Sequence, residues 1–211
     1  MRRSFVAVVS RRHIAAAFTV VLVAAAFAAQ SSPARSTSAA AGQAATTTFV
    51  SKKYGYTLVL AGPWLAQYAV TKWLGEFTSG PAPDVDQFSD LRVNRYNKFF
   101  VAAKRVSAGT TLENWTASQV ATSQAVISNN GQPQCNKSRA FRNTTLGGEP
   151  AREFQNACPF ESVPHLNVIT VTALHHGRGY VFELGAAGAH TAASDRRMFD
   201  AARHSFHFTA K

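Results

Sequence analysis

Cysteine is scarce, with two in 211 residues, too few for a disulfide-dense mini-scaffold. Acidic side chains are few as well. There are 11, against 22 Lys and Arg, and none occurs before Glu76. Gly and Pro, 13 and 8, follow no period, which excludes a collagen-like chain. Catalytic signatures are missing too. There is no G-x-S-x-G elbow, no H-E-x-x-H, no Walker A loop and no G-x-G-x-x-G after a strand. With 46% hydrophobic residues the chain as a whole is not intrinsically disordered.

What is present begins with a leader. Residues 1–13 are basic, and Ile14 to Ala29 form an apolar run of 16 broken only by Thr19. That is the length of a signal-peptide core and short for a spanning helix. Ala26-Phe27-Ala28 fits a small-x-small cleavage site, so 1–28 is expected to be a signal peptide, with an uncleaved anchor as the alternative. Ser10-Arg11-Arg12-His13-Ile14 partly matches a twin-arginine signal, leaving both that and the general secretory route open. Residues 29–47 are Ala-, Ser- and Thr-rich and read as a disordered linker. Residues 48–211 are then a single folded domain. Removing Arg2, Arg3, Arg11 and Arg12 with the leader leaves 18 basic against 11 acidic residues, a net +7. A basic exported protein could meet acidic envelope polymers, anionic lipid heads or nucleic acid, but the Lys and Arg are scattered in sequence, which reads as a solvated basic surface rather than a dedicated polyanion site.

Within the domain, β-rich runs flank Tyr54-Gly55-Tyr56. Pro63 suggests a short helix over Trp64–Tyr68. Asp84 to Asp90 reads as an exposed acidic loop, and Phe99 to Val106 as a strand. Thr110-Thr111-Leu112-Glu113 reads as a capping box with Thr110 as the cap, opening a helix whose apolar face holds Leu112, Trp115, Val120, Val126 and Ile127. Two hairpins follow, one turning at Leu146-Gly147-Gly148 and one at Gly177-Arg178-Gly179, with period-2 alternation along their arms. A helix from Ser194 to His204 and a short strand with Phe206 and Phe208 complete an α+β order.

Cys135 and Cys158 are expected to form a structural disulfide. A turn centred on Leu146-Gly147 places them opposite each other, within bridging distance, whereas one centred on Gly147-Gly148 shifts the register. Trp64, Tyr68 and Trp73 are candidate ligand-binding residues, a stacking groove for a sugar or apolar ligand, or else plain core. His175-His176 would support a metal only if both rings shared a face, and neighbours on a strand point to opposite faces; an unrecognised hydrolase could use His175 or His176. No catalytic, metal or cofactor site is assigned.

The stretches SKKYGYTLVLAGPW, GTTLENW and GRGYVFEL…RRMFDAARHSFHF resemble the PsbP-like fold in element order and in Tyr54-Gly55-Tyr56, Trp64, Trp115, Gly179-Tyr180 and Ser205-Phe206. The resemblance implies an antiparallel sheet flanked by helices, used as a non-enzymatic binding or assembly module. The combined expectation is a secreted, periplasmic or cell-envelope bacterial protein with no membrane span after leader cleavage. It would bind an envelope protein or component. A small-ligand binder and an unrecognised hydrolase are the alternatives.

Overall fold

A computed structural model describes residues 46–75, 83–91, 98–125, 139–160, 163–187 and 193–209. The leader and most of the linker, and with them the proposed cleavage site, lie outside these residues. So does Cys135. The strands are β1 (Thr46–Ser51), β2 (Tyr56–Ala61), β3 (Trp64–Gln67), β4 (Asp86–Asp90), β5 (Lys98–Arg105), β6 (Arg139–Leu146), β7 (Glu149–Phe160), β8 (Val163–His175), β9 (Arg178–Ala187) and β10 (His207–Phe208). The helices are α1 (Leu112–Ala125) and α2 (Ala193–His204). The described part is thus mostly antiparallel sheet with two helices.

The strands form two antiparallel sheets. A small one has the order β1-β2-β10, and a seven-stranded one the order β3-β4-β5-β9-β8-β7-β6. Alternation along β8 and β9 sets their two faces. Val171 opposes Phe182, and Phe182 stacks on Phe199 of α2, centroids 5.1 Å apart. Thr172 opposes Val181, and its hydroxyl meets that of Thr116 on α1 at 2.7 Å. The two helices therefore cover opposite faces of the large sheet. Phe99, Phe182, Phe199 and Phe206 are fully buried on the α2 side. Burying each such ring contributes roughly 1.5–3 kcal/mol. Ser205 joins α2 to the small sheet, its hydroxyl donating to Val59 O and accepting from Val59 N.

Several local expectations change. The segment after Pro63 is the strand β3 rather than a helix, because Trp64 to Gln67 pair with Asp90 to Gln87 of β4 and ladder bonding outweighs a one-turn helix. Asp84 to Asp90 is not an exposed acidic loop. Asp84, Asp86 and Asp90 are all buried, and Asp86 is 1% exposed. Its carboxyl accepts hydrogen bonds from the Tyr56 hydroxyl, 2.8 Å, and the Ala69 N–H, 2.7 Å. Thr111, not Thr110, caps α1, its hydroxyl accepting from Asn114 N at 3.1 Å. The buried stripe of α1 is Trp115, Thr116 and Gln119, a largely polar contact that an apolar-face count underweights.

The first hairpin turns on Gly147-Gly148, both with positive φ, one residue later than Leu146-Gly147. Glycines accept that conformation without strain. The shift moves the register away from a Cys135–Cys158 pairing, and a bulge between Arg139 and Arg142 slips it one residue back. The second hairpin turns on His176-Gly177 rather than Gly177–Gly179, with Arg178 and Gly179 already paired in β9.

Candidate functional site

A cavity of about 460 Å³ opens where the start of β9, the end of β5, the β1–β2 turn and the loop after β3 come together. Its apolar lining is Tyr54, Trp73, Leu74 and Ala103, and its polar lining is Lys53, Lys72, Lys104, Arg105 and Arg178. No acidic side chain contributes.

Each wall has a local cause. The β1–β2 turn is closed by Gly55, at φ +71°, donating to Ser51 O at 2.8 Å. It is held on β9 by the Tyr180 hydroxyl donating to Tyr54 O, 2.7 Å, and by Arg178 donating to Lys53 O, 3.3 Å. The Tyr54 hydroxyl donates in turn to Asp84 O. Burial, reinforced by the Asp86 and Asp84 carboxylates, pushes that phenol far above its ordinary range and keeps it neutral. The loop after β3 is pinned by Val70 N and Thr71 N, both donating to Pro83 O, and by Ala69 N on Asp86.

Two glycines make room here, one for Trp115 and one for the Lys104 ammonium. Trp115 lies flat against Gly179, where an added Cβ would come within 2.4 Å of the ring. Its indole N–H donates to Tyr180 O at 3.1 Å. Trp73, 1% exposed, meets Trp115 edge-on at 6.3 Å. The Lys104 ammonium sits 5.5 Å and 5.6 Å from the two ring centroids and donates to Leu74 O at 3.3 Å. At Gly75, φ +130°, a Cβ would press on that ammonium. Lys104 is thus a fixed cation, held by ring quadrupoles rather than by a carboxylate.

The rim carries an unusual pair. Arg105 and Arg178 are directly opposed across β5 and β9, and opposed residues send their side chains to one face. Like charges in that position repel. No ion pair joins any of the five cations to a carboxylate among the described residues. The arrangement can hold an anion.

The residues singled out from sequence sit elsewhere or play other parts. Trp73 belongs to the floor of this cleft. Trp64 packs on Phe99 at 5.2 Å and lines a second cavity of about 430 Å³ with Leu60, Met198 and Ala202. Tyr68 is 45% exposed and lines neither cavity. Cys158 falls on β7, but its side chain, like Cys135, is outside the described part. His175 and His176 do share a side, because His176 sits in the turn at φ +46°. Their rings stack at 3.9 Å, His175 stacks on Phe208 at 4.1 Å, and its Nδ1 lies 2.8 Å from a Glu149 carboxylate oxygen. Among the described residues no group of three His, Cys, Asp or Glu side chains could hold a metal.

Sequence inspection missed the basic cleft. Its residues are dispersed along the chain, and only the β5–β9 register, which sets Arg105 against Arg178, could have signalled it. A different perturbed group lies on β9. Burial pushes the Glu183 carboxyl up to about 7, against a lowering hydrogen bond from the Thr170 hydroxyl at 2.9 Å. No helix among the described residues is long and apolar enough to cross a membrane.

No protein-family model matches the chain, and no curated protein does. Solved structures do. The solution structure of cyanobacterial PsbP from Synechocystis sp. PCC 6803 superposes with a TM-score of 0.58 at 17% identity, over 82% of this chain and 97% of that one. A Bacteroides thetaiotaomicron protein gives a TM-score of 0.48 at 8% identity, over 81% of this chain and 50% of that one. The order of strands and helices described above is therefore that of the PsbP-like fold.

Proposed function

We propose that this chain is an exported, non-catalytic binding domain that takes an anionic partner, a protein or a cell-envelope component, at the basic cleft. The observation that carries this is the opposed pair Arg105 and Arg178, set among Lys53, Lys72 and Lys104 with no carboxylate in the lining. Arg178 also holds the β1–β2 turn, but facing it with a second arginine costs the fold repulsion that a bound anion turns into attraction. The basic leader and its apolar run support export. Titrating the chain with fluorescent polyglutamate and with anionic vesicles tests the reading. Binding to at least one of the two is expected, weakening with salt and lost in Arg105→Glu/Arg178→Glu. Binding that survives the double reversal would remove the cleft from the function.

The Cys135–Cys158 bridge remains part of this proposal, supported by the export signal and by a bulge that recovers one residue of register. A non-reducing peptide map linking the two cysteines is expected. Two free thiols in the exported protein would refute it.

A further inference from the structure

The loop after β3, which gives Lys72, Trp73 and Leu74 to the cleft, adds a second chemistry. Tyr68, Val70 and Leu74 are 45, 64 and 78% exposed, with exposed Lys72 between the last two. Single exposed apolar residues are ordinary. Three on one seven-residue stretch, whose Lys72 and Leu74 line the basic cleft, are not explained by a solvated surface. The loop is not loose, since Ala69, Val70 and Thr71 are bonded to Asp86 and Pro83 and Trp73 is buried beneath it. The apolar tips are therefore held outward by a fixed backbone.

We propose that this end of the molecule docks on an anionic lipid surface. Tyr68, Val70 and Leu74 enter the boundary between headgroups and acyl chains, while Lys72, Arg105 and Arg178 meet the phosphate headgroups. The proposal names the partner of the cleft and rests on the reading given above. An acidic protein would match the charges. It would leave a leucine 78% exposed to be met by a partner pocket shaped for it. A fluid bilayer accepts a projecting side chain anywhere on its surface, and basic residues beside apolar tips are the pattern of interfacial binding. Lys72 suits the boundary, because its stem can lie among apolar groups while its ammonium stays in the headgroup layer.

The test is co-sedimentation of the full chain with phosphatidylcholine vesicles, with and without equimolar phosphatidylglycerol. Binding only to the anionic vesicles is expected. Removing two charges in Lys72→Gln/Arg105→Gln should weaken it about 25-fold, roughly fivefold per charge. Val70→Asn/Leu74→Asn keeps every charge and should weaken it at least about tenfold, from the lost apolar burial. In Val70→Trp, the indole emission should shift to the blue on anionic vesicles and be quenched by bromine on the acyl chains. Equal binding to neutral vesicles, unchanged binding of the double Asn variant, or an unshifted emission would overturn the proposal. Tight polyglutamate binding without any vesicle binding would overturn it in favour of an acidic protein and leave the function proposed above intact. Failure to bind either probe would remove both.

Discussion

Neutralising Arg105 should make the fold more stable and the cleft less able to bind. In an antiparallel pair, opposed side chains have Cβ atoms about 4.5–5.5 Å apart, and charged pairs there change stability by about 0.2–1 kcal/mol. Arg105 and Arg178 occupy such positions, and Lys53, Lys72 and Lys104 line the same cavity. Arg105→Gln removes the facing repulsion while keeping part of the aliphatic stem. The expected gain is up to about 1 kcal/mol at low salt, or about 2–4 °C in Tm for a domain of this size. Urea unfolding reads it as a higher midpoint at unchanged slope. Arg105→Lys keeps the charge and should show no gain. In 1 M salt, where screening acts within about 3 Å, the gain should vanish. The same variant should bind the anionic probe more weakly. A low-salt loss of stability in Arg105→Gln, or a gain that survives 1 M salt, would refute the view that the pair is electrostatically strained for binding.

Two further outcomes test the scaffold. Arg196 on α2 donates both Nη groups to the buried Glu153 on β7, at 2.5 and 2.9 Å, and its Nε to Asp200, at 2.9 Å. Arg196→Met strands Glu153 and should cost about 3–5 kcal/mol, most of it recovered in Arg196→Met/Glu153→Met; a thermal or urea melt of the three variants decides, and a loss below 1 kcal/mol in the single variant is the contrary result. Glu183 holds its proton up to about pH 7 when folded, above the ordinary 4.5. The folded state binds the extra proton, so stability falls as pH rises through that window, by about 3 kcal/mol in all. Glu183→Gln should flatten that slope in urea melts between pH 4.5 and 8, and a slope identical to the parent's would show that the group is not held neutral.

The sheet was legible where the pattern is local. Thr170 and Thr172 alternating with Ile169 and Val171 announce β8, and Tyr180, Phe182 and Leu184 announce the core face of β9. Period-2 alternation needs only neighbours along the chain. The β3 strand and the burial of Asp84, Asp86 and Asp90 were not legible, because both depend on distant partners. β3 exists through its pairing with β4, and Asp86 is satisfied by Tyr56, thirty residues away. The cleft was hidden for the same reason. A charge count along the chain sees Lys53, Lys72, Lys104, Arg105 and Arg178 as scattered, while the β5–β9 ladder and the β1–β2 turn gather them.

Three features that weaken this scaffold bear on the cleft. A carboxyl buried at Asp86 costs desolvation, a glycine within β9 costs backbone entropy, and two facing arginines cost repulsion. Asp86 fixes the start of the loop that carries Lys72 and Trp73. Gly179 admits Trp115, against which Trp73 and Lys104 are set. The arginines form the rim. The aromatic cluster under α2 follows ordinary packing, with Phe99, Phe182 and Phe199 mutually stacked. Local choices that work against folding are expected at functional sites, where something other than stability selects them. Asp86 and Gly179 act on the cavity through Ala69 and Trp115 and the arginines act on it directly, a convergence that fits the proposed binding role.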